Sequence, residues 1–173
     1  KAKSDHLLLN ILPVSIAERL KKKEDTIADR YDEVTVLFSD LVGYTVFSAK
    51  HTPKQLVYKL NILFGRFDDL LDKYKIEKIK TIGDSYFAVS GLNDDSSKSA
   101  INIIKMAKEM IRSVSNINED TSEMDIQIRI GIHSGSVVTG VIGKHKFAYD
   151  LWGAAVNMAS RMESTSKPGK IHI

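Results

Sequence analysis

The sequence contains no cysteine among its 173 residues. Disulfide bonds, thiolate metal sites and catalysis by a cysteine nucleophile are therefore excluded. A chain of this kind fits a reducing compartment. Any metal site must instead be built from oxygen or imidazole ligands.

Long apolar runs and a strong net charge are also missing. No apolar run approaches the ~18 residues that a membrane-spanning helix needs, and no signal peptide is visible. The formal net charge of +3 is too small to indicate a nucleic-acid partner. With 43% hydrophobic and 27% charged residues, the composition is that of a soluble globular domain. The first residue is Lys1 rather than methionine, so we expect a piece of a longer protein.

Apolar periodicity predicts alternating strands and helices. Strands are predicted over 33–40, 75–80, 85–90, 124–134 and 136–143 and from residue 170 onward, and helices over 53–74, 96–114 and 153–165. The order β-α-β-β-α-β, with additions, is typical of the ferredoxin-like arrangement. We therefore predict an α/β (α+β) fold in which helices pack on an antiparallel sheet.

The first 24 residues are expected to form a helical lead-in that Pro13 interrupts. We predict that this segment lies outside the core and that residues 25–173 form the domain proper.

Two acidic residues occupy corresponding ends of neighbouring predicted strands. Asp40 ends the first strand and Asp84 begins the third. A ferredoxin-like sheet places these strands side by side and antiparallel, so the two carboxylates should converge at one edge. Like charges this close repel unless a cation lies between them. Carboxylates with backbone oxygens suit Mg²⁺ or Mn²⁺. The alternative is that Asp40 caps a loop and Asp84 stabilises a turn.

The stretch "SDLVGYT" follows the first strand and contains a glycine ahead of a helix. Backbone N–H groups in such a loop can hold phosphate oxygens. The sequence has no G-x-x-x-x-G-K-[ST] motif, so a P-loop is excluded.

Four motifs together resemble the catalytic domain of class III adenylyl and guanylyl cyclases. They are "VLFSDLVGYT", "KTIGDSYFAVSGL", "IRIGIHSGSVVTGVIG" and "YDLWGAAVNMASRMEST". The resemblance covers residues 32–173, and the lead-in resembles the segment that joins such domains to upstream sensory modules.

The resemblance implies a role for individual residues. It implies that a metal ion is bound by Asp40, Asp84 and the carbonyl of Leu41. It implies that the triphosphate is bound by Val42, Gly43, Tyr44, Thr45 and Arg129. It also implies that Lys80 and Asp150 recognise the purine edge. Asn157 is implied to orient the ribose, and Arg161 is implied to contact the α-phosphate.

The purine-reading pair favours ATP as substrate. A carboxylate accepts a hydrogen bond from the adenine N6 amine, and an ammonium group donates to N1. Guanine inverts this pattern, and guanylyl cyclases of the family tend to have Glu and Cys where this chain has Lys80 and Asp150. A guanylyl cyclase with unusual purine-reading residues remains the alternative.

The resemblance also implies cofactors, partners and a location. Two Mg²⁺ or Mn²⁺ ions are expected in each active site, and two copies of the chain are expected to complete each other's sites as a homodimer. An upstream sensory domain in a longer chain and a catalytic domain facing the cytoplasm are expected as well. No nucleic-acid partner is expected.

Two of these residues also permit less specific interpretations. Lys80 could be a strand-edge lysine that opposes aggregation, and Arg161 could form a surface ion pair with Glu163. The five histidines are expected to be structural. A phosphate-binding lysine that the family carries further along the chain has no identifiable counterpart before Ile173.

Other functions of the same fold are disfavoured. A diguanylate cyclase would need a Gly-Gly turn, and an RNA-recognition module would need exposed aromatics in an R-G-F-x-F-like strand. Neither pattern occurs in the sequence. A catalytically silent regulatory domain is disfavoured because all the named residues are present.

Overall fold

A computed structural model describes residues 2–93, 96–120 and 125–173. The helices are α1 (Ala2–Leu9), α2 (Val14–Lys21), α3 (Tyr44–Ala49), α4 (Pro53–Tyr74), α5 (Ser99–Asp120) and α6 (Ala154–Ser164). The strands are β1 (Ala28–Val42), β2 (Glu77–Ile82), β3 (Ser85–Ser90), β4 (Gln127–Ile142), β5 (Ala148–Trp152) and β6 (Ile171–His172). A 3₁₀ turn over Ser96–Lys98 precedes α5. Within the described ranges, every helix is too short or too polar to cross a bilayer.

The strands form a single sheet in the order β2-β3-β1-β4-β5, and β6 pairs with β4 in parallel. The first and third strands are adjacent and antiparallel, with Phe38 opposite Phe87. On the other side of β1, Asp40 lies opposite Arg129 of β4. The predicted ferredoxin-like arrangement is therefore confirmed, with β5 and β6 added along β4.

Helices cover both faces of the sheet, because successive side chains of a strand point to opposite sides. On one face α4 and α5 bury the apolar residues Leu37, Leu41, Leu63, Phe67, Met106, Met110, Ile128 and Ile130. On the other face α2 and α6 bury Ile16, Val34, Val36, Phe87, Val89, Ala155 and Ala159. Asp40 alternates with Leu41, so its side chain lies on the face that carries α6.

The helix predicted over 53–74 begins and ends at those residues. Thr52 caps it through a reciprocal pair of bonds with Gln55, and Pro53 occupies the first turn, where a missing N–H does no harm. Lys75, in the left-handed conformation with φ of 54°, ends it.

The lead-in differs from its prediction. Leu12, Ile16 and Ala17 are buried in the second core, so the expectation that this segment lies outside the core is wrong. The spacing of Ile16 and Ala17 puts both on the side of α2 that packs on the sheet, and Leu12 joins them from the link between α1 and α2. Arg19 links this segment to β1 through an ion pair with Asp29 and forms a second ion pair with Glu24 inside the segment.

Several boundaries also differ. The strands predicted over 124–134 and 136–143 are one long strand, β4, because the segment between them continues the pairing with β1. Met124 lies outside the described residues. The helix predicted to end at 114 continues to Asp120. Neither β5 nor the short helix α3 was predicted.

Candidate active site

The structure brings Asp40 and Asp84 together, as the strand order predicts. Asp40 lies near the end of β1, and Asp84 lies in the turn between β2 and β3. The backbone N–H of Leu41 donates to Oδ1 of Asp40 at 3.0 Å and to Oδ2 of Asp84 at 3.3 Å. The hydroxyl of Ser85 donates to Asp40 at 3.4 Å. Both carboxylates therefore face one small region at this edge of the sheet.

The electrostatics of this pair suit a bound cation. Burial and the neighbouring carboxylate of Asp40 raise the pKa of Asp84 to about 7. The described part of the chain holds no group of three or more His, Asp or Glu side chains suited to a metal. A divalent ion bound by the two carboxylates would therefore take its other ligands from backbone oxygens, water or a phosphate. The residues present fit Mg²⁺ or Mn²⁺ on these terms.

Arg129 lies between two acidic side chains. Its Nη2 is 3.5 Å from Oδ2 of Asp40, and its Nε is 3.4 Å from Oε1 of Glu163. The second contact has the length of an ion pair without the alignment of a hydrogen bond. The sequence suggested Arg161 as a partner for Glu163, but Glu163 lies against Arg129 instead.

The loop predicted to bind the triphosphate links β1 to α3. Val42 ends the strand, and Gly43 has φ of 76°, a left-handed conformation that glycine adopts without strain. Tyr44 begins α3 and packs against the first core, whereas Thr45 is exposed. The loop is thus anchored on one side and open to solvent on the other.

A second group of predicted residues surrounds a cavity of about 450 Å³. Nζ of Lys80 donates to Oδ2 of Asp150 at 2.6 Å, although the two residues lie on different strands of the sheet. The N–H of Leu151 donates to the other carboxylate oxygen of Asp150 at 2.8 Å. The cavity is also lined by Phe38, Ile82, Phe87, Trp152 and Asn157. The structure therefore brings the predicted purine-reading pair together beside Asn157.

Asn157 and Arg161 lie one turn apart on α6, so both project from the same side of that helix. Both are exposed. Arg161 is not among the residues that line the cavity. The predicted site residues thus form two groups in one chain, which are the acidic pair with Arg129 and the residues around the cavity beside Lys80.

Sequence reasoning missed two features of the site. Glu163 was considered only as a partner of Arg161. The rings of Phe38 and Phe87 stack with centroids 4.3 Å apart and planes inclined by 9°, and both line the cavity. The predicted pairing of the first and third strands could have revealed this stack, because it places aromatic residues opposite each other.

Comparison with known proteins gives a consistent result. The family described as "Adenylate and Guanylate cyclase catalytic domain" matches residues 26–173. An adenylate cyclase of Mycobacterium tuberculosis is 44% identical over 172 residues, which cover 99% of this chain and 39% of that protein. The receptor-type guanylate cyclase gcy-13 of Caenorhabditis elegans is 44% identical over 175 residues, which cover 100% of this chain and 17% of that protein.

A similar solved structure is the catalytic core of a rhodopsin-guanylyl cyclase with converted specificity, in complex with ATPαS. Its TM-score is 0.77 at 37% sequence identity, over 83% of this chain and 78% of that one. The chain spans well under half the length of the curated relatives named above. The family match spans residues 26–173, which is most of the chain, so the chain belongs to the adenylate and guanylate cyclase catalytic domain family.

Proposed function

We propose that the chain is the catalytic domain of an adenylyl cyclase, which converts ATP to 3′,5′-cyclic AMP and pyrophosphate. The ribose 3′-hydroxyl loses its proton to water or to a phosphate of the substrate, and its oxygen attacks the α-phosphorus and forms the new O–P bond. The bond between the α-phosphorus and the bridging oxygen breaks, and pyrophosphate leaves with that oxygen.

The observation that carries the proposal is the contact between Lys80 and Asp150. A cationic donor and an anionic acceptor lie 2.6 Å apart beside a cavity with aromatic walls. Adenine offers the matching groups on one edge, since N1 accepts and the N6 amine donates. Guanine offers O6 as an acceptor and N1–H and N2 as donors, which is the reverse order along the same edge, so a pair arranged for adenine fits it less well. The geometry supports ATP over GTP.

The acidic pair supports a role in binding metal. Asp40, Asp84 and the carbonyl of Leu41 would hold Mg²⁺ or Mn²⁺, with two ions in each site. Bound there, the ions would lower the pKa of the 3′-hydroxyl and neutralise the phosphates. The loop from Val42 to Thr45, together with Arg129, would orient the triphosphate.

The residues of α6 would act on the reacting groups. Asn157 lines the cavity and would orient the ribose. Arg161 is exposed, and its fixed fork of donors suits the charge that develops on the α-phosphate. One such donor typically contributes about 3–4 kcal/mol to the transition state.

We infer that two copies of the chain share their sites. The acidic pair and the purine-reading pair form separate groups in one chain, so a nucleotide between two copies would meet one group from each. Two-fold symmetry then makes two equivalent sites. Because guanylyl cyclases are among the relatives, synthesis of cyclic GMP is the alternative function.

The test is turnover of ATP and of GTP by the purified protein, with Mn²⁺ and with Mg²⁺. We expect cyclic AMP as the main product and a loss of at least about a hundredfold in Asp40→Asn or Asp84→Asn. Asp69→Asn, which removes an exposed carboxylate of α4, should leave turnover unchanged. Preferential cyclic GMP formation would favour the alternative, and full activity in Asp40→Asn would contradict the metal assignment.

A further inference from the structure

The contact between Arg129 and Glu163 is incomplete. Nε of Arg129 and Oε1 of Glu163 are both shielded from solvent and lack a hydrogen bond, although only 3.4 Å separates them. A shielded charged group without a hydrogen bond is costly. A small displacement of the guanidinium would align the N–H with the oxygen and remove this cost.

The position of Glu163 is fixed by its backbone. A Cβ atom at Gly131 would lie 1.9 Å from the backbone nitrogen of Glu163, so α6 touches β4 where only glycine fits. Arg129 and Gly131 are two apart on β4 and lie on the same face of the strand. The side chain of Glu163 is only 12% exposed. Glu163 is therefore held beside Arg129, while the Arg129 side chain is the more exposed partner.

The other contact of the guanidinium is with the proposed metal site. Nη2 of Arg129 lies 3.5 Å from Oδ2 of Asp40, and the two residues are cross-strand partners. One positive charge is thus shared between Asp40 and Glu163. Arg129 acts as the internal counter-ion of Asp40 when no other cation is bound there.

We propose that Glu163 is a positioning residue that draws Arg129 away from Asp40 when a divalent cation binds the acidic pair. This inference rests on the proposed function, because it takes Asp40 and Asp84 as metal ligands. An arriving cation repels the guanidinium, and Glu163 supplies the acceptor toward which it moves. The movement completes the missing hydrogen bond, frees Asp40 and leaves Arg129 at the edge of the site, where the phosphates are expected.

The main test is Mn²⁺ binding to the nucleotide-free protein, measured by electron paramagnetic resonance of the unbound ion. Wild type, Glu163→Gln, Arg129→Gln and the double variant form a double-mutant cycle. We expect Glu163→Gln to weaken Mn²⁺ binding about five- to tenfold when Arg129 is present. In the Arg129→Gln background the same substitution should change binding by less than about twofold, because no guanidinium remains to be moved. An equal effect in both backgrounds, or none in either, would overturn the proposal.

A second measurement needs no substitution at Glu163. In protein with ¹⁵N-labelled arginine, the Nε–H signal of Arg129 is identified by its absence in Arg129→Gln. Titration with Mg²⁺ should shift this signal downfield as the hydrogen bond to Glu163 forms. A signal that does not move while Mg²⁺ binds would contradict the proposal.

Asp40→Asn separates failure of this inference from failure of the proposed function. If Asp40→Asn binds Mn²⁺ as tightly as wild type, the metal assignment itself is wrong and the inference falls with it. If Asp40→Asn loses binding but Glu163→Gln does not, the metal site stands and only the role of Glu163 is refuted.

Discussion

At the level of single residues, Glu77 makes the free energy of unfolding depend on pH. It begins β2, and its side chain lies by a cavity of about 400 Å³ that Arg19, Tyr31 and Tyr149 also line. Burial raises the pKa of Glu77 above its ordinary value of 4.5. The folded state therefore holds this proton more tightly than the unfolded state does. The stabilisation that follows is fully present at pH values below the pKa of Glu77 in the unfolded state. It is lost as the pH rises through the pKa of Glu77 in the folded state.

We expect Glu77→Gln to stabilise the protein by about 1 kcal/mol at pH 8, because the amide needs no buried charge. The gain should disappear below about pH 4.5, where wild-type Glu77 is protonated in both states. Urea unfolding of both proteins at pH 8 and pH 4 measures this difference. Glu33→Gln, which changes an exposed glutamate of β1, should alter stability little at either pH. A loss of stability in Glu77→Gln at pH 8 would show that the carboxylate makes a favourable contact.

Some residues of the candidate site can be predicted from the sequence, and others cannot. Asp40, Asp84, Lys80 and Asp150 were found from motifs and strand order, and the structure joins each pair as expected. The role of Glu163 beside Arg129 was missed, because the contact depends on how closely α6 approaches β4. Local periodicity carries no information about that distance.

Among the helices and strands, elements with strong end signals were predicted best. The bounds of α4 match because Thr52, Pro53 and the apolar stripe all indicate the same helix. The strand β5 was missed because its five residues are too few to show a clear alternation. The burial of α2 was missed because Ile16 and Ala17 fit a surface helix equally well until the sheet beneath them is known.

The packing of α6 on β4 gives a prediction for one glycine. Gly131→Ala would place a methyl group 1.9 Å from the backbone nitrogen of Glu163, so α6 must move outward. We expect a loss of about 1–3 kcal/mol in the free energy of unfolding, as is usual for overpacking. Turnover should also fall, since α6 carries Asn157 and Arg161.

Gly65→Ala is a matched control for this substitution. Gly65 lies inside α4, and an added Cβ would meet no atom within 4 Å. Alanine is the better helix former, so Gly65→Ala should stabilise the protein by about 0.5–1 kcal/mol. Thermal unfolding of both variants should therefore shift in opposite directions. A Gly131→Ala protein as stable as wild type would mean that α6 does not contact β4 at this point.

For the whole molecule, the proposed dimer follows from the presence of two separate residue groups in one chain. The acidic pair lies where the end of β1 meets the turn between β2 and β3, and the purine-reading pair lies beside the cavity on the same chain. Helix α6 connects them, since Asn157 lines the cavity while Glu163 contacts Arg129. In the proposed dimer, Asn157 would therefore lie at the site of one nucleotide, and Glu163 of the same helix would lie at the site of the other.

Complementation between Asp84→Asn and Lys80→Ala tests directly whether two copies of the chain share each active site. Each variant alone should be inactive, because both of its sites lack either a metal ligand or a purine-reading residue. When equal amounts of the two variants exchange subunits at random, half of the dimers contain one copy of each variant. One of the two sites in such a dimer is intact, so about a quarter of wild-type cyclic AMP synthesis should return. A mixture that stays inactive, although mixed dimers are present by mass spectrometry, would contradict the shared site.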